Sequence, residues 1–147
     1  MRAAVIPPIV LAAAALAPGG CGATSQKNLG QFKDREHDVA KTVYDLRDAA
    51  QRRDASKICD DYLTGALKAD LALKAKATNR GKDCADELSD SLRDADSFDI
   101  TVESVKVNGN DATVQIKTKL SHGKNPTDTL QLSNQQGWRL NALPSSG

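Results

Sequence analysis

The chain has few aromatic residues and almost no excess of charge of either sign. Aromatic side chains make up 3% of the 147 residues, so a hydrophobic core has to be built from aliphatic side chains. Lys and Arg number 20 and Asp and Glu 19, which gives a formal net charge of +1. Since nucleic-acid binding needs a strongly basic surface, we expect no nucleic-acid partner.

The sequence also lacks the short motifs that identify common active sites. No serine lies in a nucleophile-elbow pattern, and there is no glycine-rich phosphate-binding loop and no C-x-x-C pair. The two histidines, His37 and His122, lie far from Cys59 and Cys84 in the sequence and at no metal-ligand spacing. We therefore predict no metal, no cofactor and no catalytic residue.

The N-terminal residues have the pattern of an export signal. Arg2, an apolar stretch over residues 3–17 and a run of small residues before Cys21 follow one another in the order of a secretory signal peptide. The apolar stretch contains a Pro-Pro pair and is too short for a membrane span of about 20 residues. We therefore predict that residues 1–20 are a cleaved signal peptide and that the protein is exported.

The residues before Cys21 resemble the lipobox of bacterial lipoproteins, in which the cysteine becomes the lipidated N-terminus of the mature protein. Gly19 and Gly20 match the small residues of that pattern, and Pro18 stands where an aliphatic residue is usual. The resemblance implies lipidation at Cys21 and a protein held at the cell membrane by its lipid. An ordinary signal peptidase could instead cut after Ala23, and the protein would then be secreted without an anchor.

The remaining cysteines predict one disulfide. With Cys21 assigned to lipid, Cys59 and Cys84 are the only pair left, in a compartment where disulfides persist. A bridge between them would close a loop of about 25 residues and stabilise the fold by roughly 3 kcal/mol in the loop-entropy picture. We interpret the pair as structural rather than as a redox or metal-binding pair.

The mature chain divides into a tether, one domain and a short tail. Residues 21–33 are polar, contain glycine and have no apolar period, which is typical of a flexible tether; about 12 such residues span on the order of 20 Å. Residues 34–143 have the length of a single domain with one core, and residues 144–147 form a tail.

Apolar residues recur at helical spacing through residues 34–95 and at every second position after Asp96. In the first helix the charged residues, Arg47 and Asp48 among them, are expected to form a solvated face. The alternating part predicts four strands, with a bulge at Glu103-Ser104. We therefore predict an α+β domain in which N-terminal helices pack on a curved, four-stranded antiparallel sheet.

The order of these elements and two stretches of sequence resemble the nuclear transport factor 2-like superfamily, whose cone-shaped fold also serves ketosteroid isomerases and SnoaL-type polyketide cyclases. The stretches run from Val105 to Val114 and from Gln136 to Leu140, and small lipoproteins of that superfamily carry a similar cysteine pair in the helical half. The resemblance implies a concave sheet closed by helices around a pocket, which some members use for a small apolar ligand and others for acid and base chemistry.

Eight residues are candidates for lining such a pocket. They comprise two tyrosines of the helical half and six strand residues that point inward: Tyr44, Tyr62, Phe98, Ile100, Val114, Ile116, Leu130 and Trp138. Since the inward strand positions are apolar, none of them can transfer a proton. We therefore expect a non-catalytic domain that binds a small apolar ligand or a protein partner in the cell envelope.

Two other functions stay open. An isomerase-like or cyclase-like enzyme would use Tyr44 or Tyr62 together with an acid such as Asp99, and that carboxyl group would need a raised pKa. An accessory subunit of an envelope complex would instead dock through the outer face of the sheet. That face would include Thr113, Gln115, Lys117 and Lys119.

Overall fold

The computed structural model describes residues 28–144, in which four α-helices are followed by a four-stranded antiparallel sheet. The predicted α+β class is confirmed. The predicted signal peptide and Cys21 lie outside these residues. The helices are α1 (Asp34–Gln51), α2 (Ala55–Lys57), α3 (Gly65–Ala77) and α4 (Cys84–Asp94), and the strands are β1 (Ile100–Asn108), β2 (Asp111–Thr118), β3 (Thr127–Asn134) and β4 (Trp138–Ala142).

Helix α1 covers one face of the sheet and packs against β1 and β4. Val39, Ala40 and Val43 are fully buried on this face, at the helical spacing that the sequence predicts. Full burial of a valine side chain contributes about 1.5–3 kcal/mol. The apolar stripe therefore fixes which side of α1 meets the sheet.

The sheet is a simple meander with strand order β1-β2-β3-β4. In β2 the buried residues Ala112, Val114 and Ile116 alternate with exposed ones, so one face packs on the helices and the other meets solvent. The pairing of β1 with β2 shifts register between Val102 and Ser104, which confirms the predicted bulge.

Tyr44 contacts β1 next to this bulge. The backbone N–H of Val102 donates a hydrogen bond of 3.2 Å to the hydroxyl oxygen of Tyr44, whose side chain is fully buried. Strand β1 lies at an edge of the sheet, where unpaired N–H and C=O groups can pair with another chain. The bond to Tyr44 uses one of these N–H groups, and the bulge bends the strand, so both make such pairing harder.

A disulfide joins the helical segments, as the sequence predicts. Cys59 lies in a π-helical turn, Ile58–Tyr62, that extends α2, and Cys84 is the first residue of α4. Their Cα atoms are 6.2 Å apart. Both residues are 2% exposed, so the bridge belongs to the core.

The start of α4 is fixed by a capping box. The Asp83 side chain accepts a hydrogen bond of 3.0 Å from the Asp86 N–H, and the Asp86 carboxylate accepts bonds from the N–H groups of Lys82 and Asp83. A Cβ at Gly81, where φ is +152°, would overlap the Asp86 side chain. Glycine is therefore required just before this helix.

Glu87 connects α3 to α4 from a buried position. Its side chain is 1% exposed, and its Oε1 lies 3.0 Å from Lys74 Nζ and 3.4 Å from Arg80 Nη1. The side chains of the two cations are exposed to water, by 60% for Lys74 and 46% for Arg80. A carboxylate inside the protein is thus balanced by two charges at the surface, as a buried charge requires.

The second edge of the sheet is covered by the chain that precedes α3. The Thr64 N–H donates to the Leu140 carbonyl at 3.0 Å. The Arg139 guanidinium donates to the carbonyl oxygens of Asp60 at 2.6 Å and Leu63 at 3.2 Å. These bonds fasten β4 to the helical half.

Candidate functional site

An apolar cavity of about 230 Å³ lies between helices α1 and α4 and one end of the sheet. Helix α4 packs on α2 and α3. Its residues Leu88 and Leu92 line the cavity opposite residues of the sheet. The aliphatic and aromatic wall consists of Val43, Leu46, Ala50, Ile58, Leu63, Leu88, Leu92, Phe98, Ile100, Ile116, Leu130, Leu140, Leu143 and Pro144.

The cavity reaches solvent beside the end of β4. Leu143, which follows that strand and contributes to the wall, is 40% exposed. Phe98 and Ser97 belong to the same wall and are half-buried. An apolar molecule could enter from water at this end without any helix having to unfold.

Arg47 is the one charged side chain among the wall residues that the structure describes. It is 6% exposed, and its guanidinium carbon lies 5.1 Å from the centre of the Tyr44 ring. Its Nε and Nη2 atoms donate to Asp48 Oδ1 at 2.9 and 2.6 Å. The expected solvated face of α1 is therefore wrong at Arg47, because the Tyr44 ring and the Asp48 carboxylate let this cation be buried.

The candidate pocket residues fall into two groups. Phe98, Ile100, Ile116 and Leu130 line the cavity. Val114 and Trp138 are buried in the core but do not belong to its wall, and neither do Tyr44 and Tyr62. The Trp138 ring instead meets the guanidinium of Arg35, 5.4 Å from the ring centre.

The three residues of the enzyme hypothesis lie apart from the cavity. The Tyr44 hydroxyl contacts the Val102 N–H. Tyr62 is half-buried, with Lys57 Nζ 5.8 Å from its ring centre, and burial raises the pKa of its phenol. Asp99 lines a separate surface recess. Among the described residues, the cavity wall contains no carboxylate, imidazole or phenol that could move a proton.

The helical half of the wall was missed by sequence reasoning. Val43, Leu46 and Ala50 follow one another at steps of three and four on α1, and Leu88 and Leu92 are four apart on α4. These spacings predict burial, which is what the structure has for most of them. They do not distinguish a side chain packed against a neighbour from one that borders an empty space.

A second, polar recess of about 490 Å³ lies beside the disulfide and the start of α3. It contains an ion pair between Lys68 and Asp60, together with Arg139, which is bonded to backbone carbonyl oxygens. Within residues 28–144, no group of three or more His, Cys, Asp or Glu side chains is placed to hold a metal ion. No helix in the same range is long and apolar enough to cross a membrane.

No protein-family model matches the chain, and no match is found among curated proteins or solved structures. The nuclear transport factor 2-like resemblance therefore stays an expectation. The cavity and the residues around it are the structural features of the described residues that bear on function.

Proposed function

We propose that this is an exported protein, anchored to the cell membrane by a lipid on Cys21, whose non-catalytic domain holds a small apolar ligand. The observation that carries the ligand half of the proposal is the cavity of about 230 Å³, walled almost entirely by carbon. The export half rests on the order of basic, apolar and small residues before Cys21.

The size of the cavity limits the part of a ligand that it can enclose. An apolar cavity of about 150 Å³ stays dry and accepts benzene, which has six heavy atoms. By proportion, 230 Å³ has room for roughly nine heavy atoms. Burying an eight-carbon chain gains about 0.8 kcal/mol per carbon, or about 6.4 kcal/mol in all, which corresponds to a Kd of about 0.02 mM. The costs of association weaken binding further, so we expect a Kd above that value.

We also propose that the domain has the cone-like form of the nuclear transport factor 2-like superfamily. Three features support this: α1 lies across the sheet, the β1 bulge bends its edge, and the cavity is at one end between helices and strands. In such a cone the ligand would lie between α4 and the concave face.

Calorimetric titration with 1-octanol, which has nine heavy atoms, tests the ligand half. Ala50→Phe places a ring in the cavity wall and should abolish binding, because the space that octanol needs is then filled. Ala69→Phe adds the same ring at an exposed position of α3 and should bind like the parent protein. Equal heats for the two variants, or none for the parent, would refute the proposal.

Mass spectrometry of the mature protein from its native host tests the anchor. We expect a diacylglycerol group on Cys21 and a mass two hydrogen atoms below that of the reduced chain, from the Cys59–Cys84 bridge. A mature N-terminus at Thr24 would instead mean simple secretion and would remove the anchor from the proposal.

A further inference from the structure

We propose that the natural ligand of the cavity is uncharged over its whole length, such as a neutral alkyl or cyclic molecule of which the protein encloses about nine heavy atoms. This inference rests on the proposed function and narrows it to a chemical class. The inference is based on the position of Arg47, which is buried in an otherwise uncharged cavity wall and forms an ion pair with Asp48.

The Arg47–Asp48 pair lowers the affinity that we expect of the cavity for an anionic ligand. Arg47 would be the natural partner of a carboxylate or phosphate, but its Nε and Nη2 atoms both donate to Asp48 Oδ1, at 2.9 and 2.6 Å. The Asp48 side chain is 18% exposed and that of Arg47 is 5% exposed, so the pair is largely withdrawn from water. An anionic ligand would have to compete with Asp48 and would meet its negative charge at close range.

The same pair disfavours a cation. A positively charged ligand would meet the guanidinium of Arg47, which repels it, and the nearby carboxylate of Asp48 is already bonded to Arg47 and does not belong to the wall. A charge that moves out of water without a partner loses its hydration, so a ligand charge of either sign is penalised. A neutral ligand has no charge hydration to lose, and its contact with the apolar wall favours binding without this penalty.

Three probes with the same eight-carbon chain test the inference: 1-octanol, octanoate and octylammonium, titrated into the protein at pH 7 and low salt. We expect octanol to bind at least tenfold more tightly than either ion. Octanoate or octylammonium binding as tightly as octanol would overturn the inference and leave the proposed function standing. If none of the three binds, the proposed function fails and the inference fails with it.

Asp48→Asn supplies a second test, because it removes the counter-charge and leaves the guanidinium in place. We expect octanoate to bind roughly tenfold more tightly to this variant than to the parent, with little change for octanol. Asp45→Asn is the matched control, since Asp45 is an ion-paired aspartate of the same helix whose partner, Lys41, lies outside the cavity wall. An equal gain in the two variants, or no gain in Asp48→Asn with the fold intact by circular dichroism, would contradict the role given to Asp48.

Discussion

Reduction of the Cys59–Cys84 disulfide should lower the free energy of unfolding by an amount that the chain separation sets. The bridge spans 25 positions, and closing such a loop lowers the entropy of the unfolded chain by about 12 cal/mol/K, or roughly 3.5 kcal/mol at 25 °C. Both cysteines are 2% exposed, so reduction leaves two thiols in the core without burying a new charge. The chain-entropy term should therefore dominate.

Urea unfolding with and without a reductant measures this loss. With an m value of about 1.5–2 kcal/mol/M, which is usual for a domain of this size, the midpoint should fall by about 2 M on reduction. A Cys59→Ala/Cys84→Ala variant controls for the reductant and should unfold at the same urea concentration in both conditions. A fall of less than about 0.5 M in the parent protein would refute the loop-entropy reasoning.

Two further substitutions probe single buried polar contacts. Tyr44→Phe should destabilise the protein by about 1–3 kcal/mol in urea unfolding, because it removes the oxygen that accepts the Val102 N–H inside the protein; a change below about 0.5 kcal/mol would mean that water replaces it. Lys74→Met should cost about 1 kcal/mol, since it removes one of the two cations that balance the buried Glu87. Lys76→Met, an exposed position on the same helix, should change little, and equal losses in the two lysine variants would contradict this account of Glu87.

Periodicity in the sequence was sufficient to predict the helical half, the strands and the antiparallel sheet. The change from a helical period to alternation after Asp96 predicts the boundary between helices and strands, and β4 spans Trp138–Ala142, the segment predicted from its alternating residues. The bulge was predictable because the apolar phase flips at Glu103-Ser104. The disulfide followed from counting cysteines, a constraint that does not depend on packing.

The cavity and its charge were not predictable in the same way. A void arises from how α4 lies relative to the sheet, and no local spacing encodes that distance. Arg47 lies within α1 and Arg52 directly follows it, and both stand in similarly charged sequence, yet Arg47 is buried over the Tyr44 ring and Arg52 is exposed. Arg47 is buried beside Asp48 on a packed part of the helix, whereas Arg52 caps the helix end, and this difference arises only once the helix has packed.

A crystal structure of the protein grown with 1-octanol tests the central claim most directly. The account predicts density for the alkyl chain between Leu88 of α4 and Ile116 of β2, with the Arg47–Asp48 pair unchanged. A cavity closed by the protein's own side chains, or octanol bound only on the outer surface, would contradict it.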